Sequence, residues 1–263
     1  MIWLGHLVRE TPELVLIIAF LVGLVVATEV GFRLGRRHAE LTDSARSQVA
    51  TVQAAQLGLF ALLLGFTFAM AVGRFDERRQ LVVKEANAIG TAVLRADLLT
   101  EPQRGEYRRL FRDYLEIRLA STARGADSTG RDFSAELRGV RDPIWRIASA
   151  SAAAHPESIT SGLVVESANA AFDAAGERDE SIANRVPLTV LLLLAFYGFV
   201  VVAVVGYGNG LARERAHASS PILCALVAMV VLVIVDLDRP NRGLIRVDER
   251  SMTELRQMFD APK

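Results

Sequence analysis

Side chains able to do chemistry are few and far apart in this chain. The four histidines, His6, His38, His155 and His217, stand too far apart in sequence to suggest a site. No His-Glu-x-x-His, Gly-x-Ser-x-Gly or P-loop pattern brings a nucleophile, a general base or a phosphate cradle together. They read as solvated or interfacial polar residues, with His6, His38 and His217 at membrane edges. Cys224 is the single cysteine, which excludes an intramolecular disulfide framework and a cysteine-rich metal centre. No catalytic residue, metal site or cofactor is therefore expected, and the chain does not read as an enzyme.

Chemistry of another kind, the handling of ions in hydrocarbon, is more plausible. Val205-Gly206-Tyr207-Gly208 has the glycine-tyrosine-glycine spacing of a potassium filter, but such a filter needs a re-entrant loop between two spans. Here the tetrapeptide closes an uninterrupted apolar run, and Gly206, Gly208 and Gly210 are expected to end a helix. Between Ser47 and Gly73, Ala54, Gly58, Ala61, Gly65, Ala69 and Gly73 recur at three- and four-residue steps. Such a stripe of small residues lets another helix approach closely. The opposite face carries Phe60, Leu64, Thr67 and Ala71, with Phe68 beside them. If the stripe packs on neighbouring helices, this second face lines an axis, and its bulky apolar residues form a constriction that gates by dewetting. Further on, Lys84, Asn87 and Thr91 continue at helical spacing as candidates for a hydrated vestibule.

These positions require long helices. Leu14–Thr28, Ser47–Gly73, Val186–Ala212 and Ala216–Val235 carry no Asp, Glu, Lys or Arg. The last three meet the roughly 20 residues a span needs, and Trp3–Val8 and Val30–Phe32 extend the first. The runs are continuous rather than alternating, so helices and not barrel strands satisfy the backbone. The flanks of the first block suit a secretory signal poorly. Of 263 residues, 51% are hydrophobic and 23% charged, and 30 basic residues balance 30 acidic ones. That balance argues against a nucleic-acid partner and makes the lipid bilayer the expected surroundings.

The fold class read from this is all-α: an integral membrane protein with four transmembrane helices and a helical extramembrane domain between the second and third. Residues 1–73 form the first transmembrane pair, 74–185 the helical domain, 186–235 the second pair and 236–263 a C-terminal tail. Val82, Ala86, Ile89, Val93, Ala96 and Leu99 repeat helically, so the second span is expected to run out of the membrane as one long helix. Thr100-Glu101-Pro102 breaks it. Tyr107 to Ile117 and Phe133 to Ile147 mark further helices, Arg124–Gly130 a loop, and His155-Pro156 a turn. At the end of the fourth block, Asp236, Asp238 and Arg239 precede Pro240. Carboxylates at a membrane edge need hydration or pairing, so these residues, with Arg74, Asp76 and Arg78, are expected to form an interfacial charge cluster.

Leu64-Gly65-Phe66-Thr67-Phe68-Ala69-Met70 running into Arg74-Phe75-Asp76 and Arg78-Arg79, then Glu85-Ala86-Asn87-Ala88-Ile89-Gly90-Thr91, resembles the bacterial bestrophin-like membrane proteins. Asp236-Leu237-Asp238-Arg239-Pro240 with Gly243-Leu244-Ile245-Arg246-Val247 resembles that family's C-terminal signature. The more distant likeness to bestrophins, pentameric anion channels, implies a homo-oligomer passing small ions along the second span. It further implies an inner (plasma) membrane location with both termini and 74–185 in the cytoplasm. An acidic calcium clasp is not recognisable, since Arg and Pro follow Asp238. The rival readings are a non-conducting scaffold or signalling component and a stator-like proton-conducting subunit.

Overall fold

The structure is a computed structural model and describes residues 13–40, 42–124, 131–215, 218–239 and 245–260. Every long element among them is an α-helix: α1 (Glu13–Arg37), α2 (Asp43–Arg95), α3 (Gln103–Arg124), α4 (Arg131–Ala154), α5 (Ile159–Ala183), α6 (Leu188–Leu211), α7 (Ser219–Asp238) and α8 (Arg250–Asp260). Among the described residues there is no strand. The chain divides into a membrane unit, residues 1–73 and 186–238, and a helical domain, residues 74–185 and 239–263. Four helices are long and apolar enough to cross a bilayer, as the composition requires. The expected extension of the first span over 3–8, with His6, and likewise His217, the loop residues 125–130 and the segment 240–244 lie outside the described residues.

In the membrane unit, α1 and α6 pack backbone to backbone. A methyl group built on Gly31 would stand 1.9 Å from the Ala203 carbonyl oxygen, and one on Gly35 would stand 2.1 Å from that of Tyr207. Reciprocally, a methyl built on Gly206 would run into the Thr28 carbonyl oxygen and one on Gly210 into that of Phe32. Two glycine pairs at four-residue spacing thus interlock. Their register rises together, so α1 and α6 run parallel, as first and third spans must. Lipid provides no hydrophobic drive between helices, and close approach supplies dispersion and Cα–H···O contacts instead. α2 packs on α6 by side chains: Phe60 meets Tyr197 edge-on at 5.6 Å, and the Tyr197 hydroxyl donates to the Gln56 carbonyl at 3.2 Å.

The glycines expected to end the sixth helix therefore do something else. The helix runs through them to Leu211 and closes in a Schellman turn. Glu214 N donates to Asn209 O at 3.2 Å and Arg213 N to Gly210 O at 3.1 Å. The left-handed position is Arg213, at φ 57°.

The helical domain has a conventional core. Val82, Ile89, Tyr107, Phe111, Tyr114, Leu115, Ile144, Val164 and Phe172 are buried together. Tyr107, Phe111, Tyr114 and Phe172 form a chain of tilted rings. The part of 236–263 read as a tail contributes to it: Met252 is fully buried and Leu255 nearly so. Met252, Leu255 and Phe259 lie at three- and four-residue steps, a helical signal that sequence reading passed over.

Thermal melting of detergent-purified variants checks the glycine contacts and the turn. Gly206→Val is expected to lower the midpoint by the equivalent of about 3 kcal/mol, the upper end for overpacking. Gly176→Ala, where nothing stands within 4 Å, should raise stability by up to about 1 kcal/mol. Arg213→Gly removes a left-handed non-glycine residue and should stabilise by about 1 kcal/mol. Equal melting of all three variants would contradict this account.

Candidate functional site

The long helix α2 is the element that could serve another copy or an ion, because only part of its circumference is used within the chain. In the membrane unit Phe60 is 4% exposed, Thr67 2% and Ala71 0%, and the Thr67 hydroxyl bonds back to the Leu63 carbonyl at 2.8 Å. Leu64 is half-buried, and Phe68 is exposed. On the far side Ala54, Gly58, Ala61, Gly65, Ala69 and Gly73 are all exposed, and nothing comes within 4 Å of a methyl built on Gly58, Gly65 or Gly73. Three of the expected pore-lining residues, Phe60, Thr67 and Ala71, are thus enclosed within the chain, while Leu64 and Phe68 keep accessible surface. The face bearing Phe60, Thr67 and Ala71 is used up inside the chain, because Phe60 is the ring that seats on Tyr197 and Gly198. The small-residue stripe is the open one. Leu62 and Phe66 stand beside it, 54% and 66% exposed.

In the helical domain the same helix again divides its sides. Asp76, Gln80, Lys84, Asn87 and Thr91 are exposed, and Leu94 is 73% exposed. Lys84 pairs with Glu177 of α5. The opposite side enters the core, and it carries a charge there. Glu85 is fully buried. It accepts two hydrogen bonds from Arg118 of α3, at 2.6 and 3.2 Å, and one from Arg178 of α5 at 2.8 Å. Arg118 also binds both oxygens of Asp179, at 2.9 and 3.1 Å, and Arg178 reaches Glu249 just before α8. Burial works against the Arg118 charge, but Glu85 and Asp179 outweigh it and push its pKa up. In the sequence Glu85 stands out only as part of the motif Glu85-Ala86-Asn87-Ala88-Ile89-Gly90-Thr91. The signal is its place between Val82 and Ile89, three and four residues away on the apolar face.

The residues of the expected charge cluster are placed as follows. Arg74 donates to Asn184 Oδ1 at 2.8 Å, and Arg78, 2% exposed, to the carbonyls of Ser181 and Asn184 at 3.2 and 3.0 Å. Within the membrane unit Asp238 accepts from the Val186 backbone N–H at 2.7 Å, which satisfies the donor ahead of Pro187, where α6 has yet to begin. Asp236 is buried beside it in sequence, Asp76 is exposed and Arg239 half-buried. Among the described residues no group of three or more His, Cys, Asp or Glu is arranged to hold a metal ion.

A family model described as the Bestrophin-like domain matches residues 17–252. The chain belongs to the Bestrophin-like family. Among solved structures, a variant of the bacterial bestrophin homologue from Klebsiella pneumoniae is similar at TM-score 0.63 and 16% identity, over 94% of this chain and 99% of that one. Another variant of that homologue matches at TM-score 0.64 and 14% identity, covering 95% and 98%. The homologue solved by Zn-SAD phasing matches at TM-score 0.62 and 15% identity, covering 92% and 95%. At this identity the likeness is one of fold. A search of curated proteins finds no match.

For this Bestrophin-like chain the matched region takes in all four spans, the open side of α2 and the whole ion network around Glu85. Glu85→Gln should cost about 3–5 kcal/mol, because it leaves two buried guanidiniums short of a counter-charge; denaturation of the detergent-solubilised protein measures it. Burial, with the Glu85 carboxylate nearby, holds the Tyr114 phenol above its ordinary pKa. The folded state therefore keeps the phenol protonated when the unfolded chain, at about pH 10, releases it. That contribution is complete below the ordinary phenol range and is lost as pH climbs through it. The Tyr114 hydroxyl is buried with no hydrogen-bond partner. Tyr114→Phe is expected to match or exceed wild-type stability at pH 7 and to resist alkaline unfolding better. A variant less stable at both pH values would refute the reading.

Proposed function

We propose that copies of this chain surround an axis lined by the open side of α2 and pass small ions along it, anions by preference. The observation that carries this is the division of α2. One side is consumed by its own chain, while the other, small and apolar in the membrane and polar beyond it, is left uncovered along the whole helix. Gly58, Gly65 and Gly73 allow neighbouring copies to approach, and Leu62 and Phe66 are the bulky side chains available to narrow the axis. A collar of such residues passes ions only when wetted. Leu64 and Phe68 stand at the margin of this lane. Past the membrane, Lys84, Asn87 and Thr91 present polar groups as a vestibule, and Lys84 is the cation among them. Family likeness supports five copies, no catalysis, and an inner-membrane location with the termini and 74–185 in the cytoplasm.

Purified protein in liposomes tests the reading. Leu62→Ala and Phe66→Ala are expected to raise anion flux severalfold, and Lys84→Glu to shift permeation toward cations. A well-folded wild type and variants with no flux would favour a non-conducting scaffold, and a proton-only flux needing a second protein a stator-like subunit. For orientation, a Cys224→Ser, Gly139→Cys chain in intact cells should resist an impermeant thiol reagent. Labelling would reverse the cytoplasmic placement.

A further inference from the structure

α1, α6 and α7 enclose a cavity of about 180 Å³ within the membrane unit. It lies toward the ends of α1 and α6 that the parallel glycine contact brings to one membrane face. Its floor holds Cys224, 2% exposed, whose sulfur stands 3.4 Å from the Thr28 hydroxyl. Its wall holds Asn209 and Ser220, joined by a hydrogen bond of 3.2 Å from Nδ2 to Oγ. The pair still offers an amide oxygen as acceptor and a hydroxyl proton as donor. At the open end Arg215 lies over the Phe32 ring at 4.8 Å and 3.4 Å from Glu29, which is bound more closely by Arg33 at 2.8 Å. One carboxylate thus serves two guanidiniums, and the rim keeps a positive charge. Arg36 and Arg37, in the last turn of α1, do not line the cavity.

We propose that this cavity seats the headgroup of an anionic phospholipid whose phosphodiester ends in a polyol. The phosphate rests on Arg215 and Arg33 at the level where span ends meet lipid headgroups. The terminal hydroxyls enter between Asn209 and Ser220. Size agrees: at roughly 30 Å³ for each water-sized group the cavity holds about six heavy atoms, the number in glycerol. A choline would bring methyl groups with no donor to this polar wall. An ethanolamine would bring a cation to a rim that is already positive, with Glu29 already engaged.

The test uses the full chain, stripped of lipid in neutral detergent, with thermal midpoint as the readout. Phosphatidylglycerol, phosphatidylcholine and soluble glycerol 3-phosphate are compared at equal concentration. Phosphatidylglycerol should raise the midpoint by several degrees, and phosphatidylcholine should bind about tenfold more weakly or worse, the factor expected for a hydroxyl hydrogen bond that choline cannot make. Arg215→Gln, which removes the phosphate's partner, should lose the stabilisation, whereas Arg36→Gln, which does not line the cavity, should keep it. Ser220→Leu, which fills the space without touching the charges, should abolish the effect and guards against a misfolded Arg215 variant. Equal stabilisation by both lipids, or an effect that survives Arg215→Gln and Ser220→Leu, overturns the proposal. Glycerol 3-phosphate matching the lipid would overturn the lipid source in favour of a free phosphate ester.

Discussion

Hydrocarbon offers a peptide group no hydrogen-bond partner, and the membrane unit is an answer to that condition. Each span closes its own backbone ladder as a helix. Once it has done so, lipid gives helices no reason to associate beyond the quality of their contact. The interlocked pairs Gly31/Gly35 and Gly206/Gly210 supply that contact by removing every side chain from between two backbones. A single methyl at any of the four positions meets a carbonyl oxygen of the other helix, so the α1–α6 pair has little tolerance. α2 is attached more loosely, through the Phe60 ring and the Tyr197 hydroxyl. That asymmetry leaves most of its circumference uncommitted.

Water surrounds the helical domain and reverses the logic. There the aromatic chain from Tyr107 to Phe172 is held by ordinary apolar burial, and the unusual feature is a carboxylate placed inside. Taking Glu85 out of water is expensive, and pairing with guanidiniums offsets that cost only when the geometry is good and further hydrogen bonds complete the shell. Arg118 and Arg178 meet those terms, and Asp179 and Glu249 complete them. The network draws on α2, α3, α5 and the residue before α8, so it fixes one rotation of each around a common point. A purely apolar core of the same volume would tolerate several.

Much of this architecture is legible in the sequence because its strongest constraints are local. A charge-free run of span length has few other destinations, and the buried side of α2 from Val82 to Ala92 follows from periodicity alone. Which face of the second span meets another copy is not fixed by residue type. Small residues mark close approach, but spacing says nothing of whether the approaching helix belongs to the same chain or to another copy. Within the chain that role falls to Gly31, Gly35, Gly206 and Gly210, the last two at a place where glycine equally suits a helix end. Glu85 was hidden for the opposite reason. Its partners Arg118 and Arg178 lie 33 and 93 residues away, and only the folded chain brings them to it.

The division of α2 also bears on what an axis lined by it could discriminate. Its open side carries no formal charge between Ser47 and Gly73, so no fixed field within the membrane favours one sign of ion over the other. Leu62 and Phe66 offer nothing to replace a hydration shell, and passage past them is governed by whether water fills the constriction. An ion held weakly by its shell crosses such a collar more readily than one held tightly, and larger monovalent anions are the more weakly hydrated class. Discrimination by sign must then come from outside the membrane. There Lys84 stands exposed beside Asn87 and Thr91, but its charge is shared with Glu177. Moderate selectivity, set by dehydration first and by one partly neutralised cation second, is what this arrangement of side chains can support.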